Sequence, residues 1–320
     1  MVIFRFTTED LAQTRFAISP MWELMTGLRA LRDPDRAALH LPWVSEALPI
    51  ARELDLDGAL ALTPPDGYMP DFVTPPPSGP LASFEEEVDR VCETPRAQVI
   101  GDIECLITEG RGSPALDLFL SNPREEVERM CRALKEFWRL TLEPHWPRIR
   151  SVLEEDLRYR ARRLTDGGPA LLFEDLHPRV AWRGDRIEIE QEYEGETTLD
   201  GCGLLLMPSA FQVTRPASVI SPPWQPTMVY PSRGVGLLWD SPPAEGPEAL
   251  VKLVGGTRAR LLTALDSPRS TTELARSLEL SPGGVSQHLS VLRESGLVCG
   301  EREGRSVLYL RTELADSLLG

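Results

Sequence analysis

Apolar positions recur at three- and four-residue intervals through most of the first 165 residues and again near the end of the chain. Between those stretches they alternate or run together. The clearest helix opens at Asn122-Pro123, and Val127, Met130, Cys131, Leu134, Phe137, Trp138 and Thr141 share one face of it. Another begins after Glu143-Pro-His-Trp-Pro147, with Ile149, Val152, Leu153, Leu157 and Leu164 inward. Residues 2–6 read as a short strand, and residues 8–62 as helical patterns interrupted by prolines. Pro64 to Pro80, with Thr74-Pro-Pro-Pro-Ser-Gly-Pro80 at its end, cannot be regular structure and reads as a surface connector; a PxxP-type ligand segment is the weaker alternative. From residue 179 to 240 the pattern turns to strands. Val180–Trp182 and Ile187–Glu190 flank Gly184-Asp185 as a hairpin, and apolar runs follow at 203–207, 211–213, 227–230 and 235–239. Helices first and strands later predict an α+β domain, not a doubly wound one.

Ser241-Pro-Pro-Ala-Glu-Gly-Pro247 has the composition of a linker, which divides the chain into residues 1–245 and 248–320. In the second part, Arg258 to Leu265 predicts a short helix with Leu261, Leu262 and Leu265 inward. Ser270-Thr-Thr-Glu273 predicts a capping box opening a helix that buries Leu274, Ala275 and Leu278. Ser281 is a natural N-cap and Pro282 a natural first residue for a third helix. At 100° per residue, Val285, Leu289 and Leu292 fall on one narrow face of it. Gly283, Ser286, Gln287, Ser290 and Arg293 fall opposite, with His288 on the flank and no carboxylate until Glu294. Strand patterns at Leu297–Arg302 and Arg305–Arg311 then flank Glu303-Gly304, a hairpin turn bracketed by Arg302 and Arg305. Amides, hydroxyls and guanidinium groups suit base edges and phosphates. This order is a helix-turn-helix with a wing, the shape that sets one helix in the major groove of DNA. The expected contact set is Ser281, Gly283, Gly284, Ser286, Gln287, His288, Ser290, Arg293, Arg302 and Arg305.

Thr272-Glu-Leu-Ala275, Leu280-Ser281, Val285-Ser-Gln-His-Leu289, Val291-Leu-Arg293, Gly296-Leu-Val298, Gly304-Arg305 and Tyr309-Leu310 together resemble the winged-helix domain of ArsR-type bacterial transcription regulators. The resemblance covers residues 258–311. It implies a dimeric, DNA-binding repressor acting on a double-stranded operator, with Ser286, Gln287 and His288 on the recognition helix and Arg305 on the wing. The Gly283-Gly284 pair departs from it, since each glycine costs about 1 kcal/mol of helix propensity against alanine, so this turn is expected to order fully on DNA. Metal sensing, which the family includes, is not expected. Glu273-Leu-Ala-Arg-Ser277 holds no sulfur where soft-metal sensors place a cysteine pair, and Glu313 to Leu319, the last helix, holds no histidine. Cys299 reads as a small buried hydrophobe.

Charge divides unevenly. The net charge is −15, yet residues 250–320 carry nine basic against eight acidic side chains, while residues 1–249 carry 25 against 41. The acidic part should be held away from phosphates, and binding by the nearly neutral part should be salt-sensitive. The five cysteines are scattered without a Cys-x-x-Cys, which fits reduced thiols. No run approaches the length of a spanning helix and no secretory signal is visible, so the expected location is the cytoplasm, away from membranes.

Enzyme chemistry is the rival reading for the first 245 residues, and no assembled motif supports it. There are four histidines. Gly201-Cys-Gly203 lacks the third glycine of a nucleotide loop. Glu174, Asp175 and His177 lie together but read as a polar loop. Arg158, Arg160, Arg162 and Arg163 form a basic cluster suited to a helix dipole, with an anionic ligand as the weaker reading. The seven tryptophans all precede the linker, as core anchors or as walls of a pocket or interface. The sequence therefore predicts a non-enzymatic homodimer without cofactor or metal, its N-terminal part sensing or dimerising. A small organic molecule is the expected effector there, and the short tail after Arg311 favours pairing through the N-terminal part. The alternative is a winged helix that binds protein, fused to a domain with an unrecognised activity.

Overall fold

The computed structural model describes residues 1–191, 193–239, 247–265, 268–303 and 306–319. The chain divides into two compact units, Met1–Trp239 and Asp240–Gly320.

The first unit opens with β1 (Val2–Arg5), α1 (Thr8–Gln13) and β2 (Arg15–Phe16), followed by α2 (Pro20–Arg32), α3 (Leu41–Glu53) and α4 (Asp57–Leu62). Helices α5 (Phe84–Cys92), α6 (Arg96–Thr108), α7 (Pro114–Ser121), α8 (Pro123–Thr141) and α9 (Trp146–Glu174) come next. Six short strands close it: β3 (Val180–Trp182), β4 (Arg186–Ile189), β5 (Gly195–Thr198), β6 (Leu205–Ser209), β7 (Ala217–Val219) and β8 (Thr227–Pro231). Helix α8 buries the face its periodicity predicts, Val127 through Thr141. By contrast α2 is buried almost all round, with Glu23 and Thr26 inside along with its apolar residues.

The strands form two four-stranded sheets, β3-β4-β1-β5 and β2-β6-β8-β7. Strands β6 and β8 run parallel in the register Leu206↔Met228, and every residue of β6 is buried. Covering both faces explains the unbroken apolar runs. Leu205, Met207 and Val229 join the helical core, while Leu206, Met228 and Tyr230 meet the other sheet through Phe4 and Ile187.

Several expectations need correction. The proline-rich segment is no surface connector: Asp71–Val73 form a 3₁₀ turn and residues 69–77 are buried. Prolines carry no N–H to leave unpaired, and the polar groups present are met. Asp102 accepts from Phe72 N at 3.0 Å, and Arg90 Nη1 donates to Pro76 O at 2.6 Å. Leu164 is 38% exposed instead of inward, because α9 breaks at Gly167 and Gly168 (φ +66°) and its last turns re-aim. Residues 211–213 form no strand, and 235–237 are one 3₁₀ turn.

The second unit contains α10 (Pro247–Val254), which the linker composition concealed, then α11 (Gly256–Ala264), β9 (Arg269–Ser270), α12 (Thr271–Leu278) and α13 (Pro282–Glu294). Strands β10 (Val298–Glu303) and β11 (Ser306–Arg311) and helix α14 (Glu313–Leu319) complete it. Leu261, Leu262, Leu274, Val285, Leu289 and Leu292 make its core, each at most 1% exposed.

Candidate nucleic-acid interface

Helix α13 is positioned by its two ends. Ser270 and Glu273 close the predicted capping box at the start of α12, and Glu273 Oε2 accepts from Ser270 N at 2.8 Å. Helix α12 stops at Glu279, a non-glycine residue in the left-handed region (φ +56°). Leu280 N then donates to Ala275 O at 2.9 Å, which closes the turn. Ser281 accepts from Gly284 N at 3.2 Å, and Pro282 supplies a first residue with its φ already set. Helix α13 runs from Pro282 onward, where the cap and the proline offset the helix cost of Gly283 and Gly284. Gly296, at φ +72°, ends α13, and Leu297 N returns to Leu292 O at 2.8 Å.

Val285, Leu289 and Leu292 point inward. Ser281, Gly283, Ser286, Gln287 and Arg293 are exposed, and Gly284, His288 and Ser290 are half-buried. Ser290 Oγ donates to Glu294 Oε1 at 3.1 Å, which turns this hydroxyl toward the one acid of the helix. Gln287 has no hydrogen-bond partner among the described residues, so its amide faces solvent with both functions open. No Cβ clash arises at Gly283, where the backbone is accessible to an approaching surface.

The wing is a six-residue antiparallel ladder from Val298↔Arg311 to Glu303↔Ser306. Glu303, expected in the turn, is itself paired with Ser306, so β10 extends one residue further than its pattern predicts. Arg305 lies outside the described residues, as does the side chain of Arg302. Cys299 is exposed, with its Sγ donating to Leu310 O at 3.8 Å, so the expectation of a buried hydrophobe fails. It lies on β10, the edge of the three-stranded sheet β10-β11-β9.

Of the other candidates, Arg162 is exposed and the rest are engaged in structure. Arg160, 1% exposed, pairs with Asp175 at 2.6 Å and Asp156 at 3.6 Å. Arg163 pairs with Glu174 at 2.7 Å, and Arg158 with Glu155. His177 Nδ1 accepts from Arg179 N at 3.1 Å. Among the described residues no three His, Cys, Asp or Glu side chains are grouped to hold a metal, and no helix is long and apolar enough to cross a membrane.

Sequence reasoning missed one feature. The first unit holds a cavity of about 480 Å³, between α2, the segment around Tyr68 and Met69, and the chain from Phe211 to Val219. Its wall is tied to the end of the unit. Phe211 stacks on His40 (4.1 Å between centroids, 18° between planes), and His40 Nδ1 accepts from Trp239 Nε1 at 2.8 Å. His40 Nε2 sits 3.0 Å from Ala210 O and must carry the proton. Burial pushes its pKa down to about 4, partly opposed by that carbonyl, so the ring is neutral at ordinary pH. Glu23, wholly buried, accepts from Ala210 N and Phe211 N at 3.1 and 3.0 Å and fixes the same wall. No spacing in the sequence links residues 23, 40, 211 and 239.

Residues 256–299 match the family model described as a helix-turn-helix domain. Over 67 residues the chain is 39% identical to the HTH-type transcriptional regulator NmtR of Mycobacterium tuberculosis, covering 21% of this chain and 56% of that one. It is 47% identical over 68 residues to the HTH-type transcriptional regulator CmtR of Mycobacterium bovis, covering 21% and 55%. Against the arsenic resistance transcriptional regulator ArsR1 of Pseudomonas putida it is 42% identical over 59 residues, covering 18% and 46%. The chain thus spans about half the length of these curated relatives. A solved structure, reduced HlyU from Vibrio cholerae, is 36% identical over 22% of this chain and 77% of its own, at a TM-score of 0.21. The second unit of this chain is an ArsR-type winged helix-turn-helix domain, carried behind a larger mixed helical and β unit.

Proposed function

We propose that this protein is a sequence-specific, DNA-binding transcriptional repressor that works as a homodimer and responds to an organic ligand in its first unit. The observation that carries this reading is the division of α13: Val285, Leu289 and Leu292 anchor it, while Ser281, Ser286, Gln287 and Arg293 stand exposed with acid only at its end. Arg302 and Arg305 on the wing are proposed phosphate contacts, and Gly283, Gly284, His288 and Ser290 complete the interface. Residues 1–245 and 248–320 are the proposed sensing and DNA-binding domains.

One module makes few phosphate contacts, so useful affinity requires a pair. We place the pairing surface on α10 and α14, not in the first unit. These helices pack together and leave Val251, Leu253, Leu314 and Leu318 at 39, 68, 56 and 37% exposure. An apolar row on two adjacent helices suits a partner better than water. Ligand response would pass through the cavity wall: Phe211 and His40 hold Trp239, from which the chain leaves the first unit toward the DNA-binding domain. Two recognition helices must sit about 34 Å apart to enter successive major grooves, so a small shift at that exit is enough to release DNA. Selection of binding sites from random duplexes, followed by anisotropy titration, tests the reading. Recovery of a palindromic site with strong salt dependence supports it, and binding without sequence preference or salt dependence overturns it.

A further inference from the structure

The cavity in the first unit carries a more specific chemistry. Along α2 the residues Trp22, Thr26, Arg29 and Ala30 share the face that lines it. Arg29 is the unusual member. Its Nη2 donates to Gly67 O at 2.9 Å, but its Nε is buried with no partner, and no carboxylate pairs with it among the described residues. Burial first, and then the nearby Arg215 and Arg111, pull its pKa down to about 10, with Asp66 opposing. The guanidinium stays charged at neutral pH, in surroundings that disfavour it.

The acids around the cavity are committed elsewhere. Asp66 pairs with Arg111 at 3.1 Å and Arg36 at 3.7 Å, Asp33 with Arg36 at 3.1 Å, and Glu109 with Arg111 at 3.3 Å. Asp71 is pushed up to about 7 by burial and by Asp102, so much of it is neutral. A second donor is also unmet: Trp22, 4% exposed, has a buried Nε1 with no partner among the described residues. Buried donors without acceptors are rare, and the half-buried Arg29 has only Asp66, itself paired with two other arginines, as a nearby opposing charge. Met69, Phe211, Ala217 and Val219 supply apolar wall between these polar points. A volume of about 480 Å³ suits one small molecule.

We propose that this cavity binds a small organic carboxylate, with its charge on Arg29, its apolar body against Phe211 and Met69, and an acceptor group for Trp22 Nε1. This rests on the ligand-responsive reading above and names the ligand class. Isothermal titration of the full-length protein with benzoate, phenylacetate, salicylate and octanoate, each beside its neutral amide, and with inorganic phosphate, tests it. At least one carboxylate should bind at least about tenfold more tightly than its amide and than phosphate. Arg29→Met should abolish that preference while Arg29→Lys, which keeps the charge, retains part of it; thermal melts establish that both variants fold. Trp22→Phe should weaken salicylate more than octanoate. Equal binding of acids and amides, no binding by any compound, phosphate binding as strongly as the acids, or an Arg29→Met variant with unchanged preference would each overturn the proposal. Operator titration in the same samples separates the two readings. Carboxylate binding that leaves DNA affinity unchanged sinks the ligand response and keeps the site, whereas release by the amides alone sinks the site's chemistry and keeps the response.

Discussion

Replacing Gln287 by alanine separates DNA recognition from folding more cleanly than any other change on α13. The side chain is exposed and bonded to nothing among the described residues, so its loss should move stability by less than about 0.5 kcal/mol. Its amide can serve a base edge in two places at once, a contact worth about 1–3 kcal/mol of discrimination. In a dimer both half-sites lose it, which gives about 2–6 kcal/mol, or from about 30-fold to about 10⁴-fold in affinity for the selected operator. Gln287 carries no charge, so the slope of affinity against salt should stay the same and binding to unrelated duplex should change little. Anisotropy titrations on operator and scrambled DNA at several salt concentrations, with a thermal melt alongside, measure all three quantities. Equal weakening on both duplexes, or no weakening on the operator, would refute the assignment of this face to the bases.

Arg305→Ala should weaken binding to every duplex and flatten the salt slope by about one, read from the same titrations. Residues 240–320 expressed alone should dimerise through α10 and α14, and Leu253→Glu with Leu314→Glu should leave a folded monomer by sedimentation. Trp239→Phe removes the hydrogen bond to His40 and should leave ligand binding in place while uncoupling it from DNA release. Burial raises the pKa of Glu23 from 4.5 to about 7, against hydrogen bonds from Ser209, Phe211 and Ala210. The folded state then holds a proton that the unfolded state has lost, so stability falls as pH rises from about 4.5 to about 7, by roughly 3 kcal/mol at most. Denaturant titrations across that range should show Glu23→Gln losing less stability than the wild-type protein as pH rises; parallel curves would remove Glu23 as the cause.

What could be read in the sequence was local. The caps at Ser270 and Ser281, the inward face Val285–Leu289–Leu292, the buried stripe of α8 and the hairpin at Gly184-Asp185 each depend on residues within a few turns of one another. Helical and strand periods, proline geometry and side-chain capping act at that range, and the structure follows them. Ser286, Gln287 and Arg293 were legible as an exposed face for the same reason. Tertiary structure decided everything that joins distant segments. It buried the proline-rich stretch against the helical core, since prolines without donors cost little to desolvate. It paired Arg160 with Asp175, which no helix-dipole argument anticipates, and ran β6 beside β8 in parallel. It brought Glu23, His40, Phe211 and Trp239 to one wall, and enclosed Arg29 and Trp22 with unmet donors beside it. Periodicity tells a residue which way to face; which residue it meets depends on the three-dimensional packing of the whole unit.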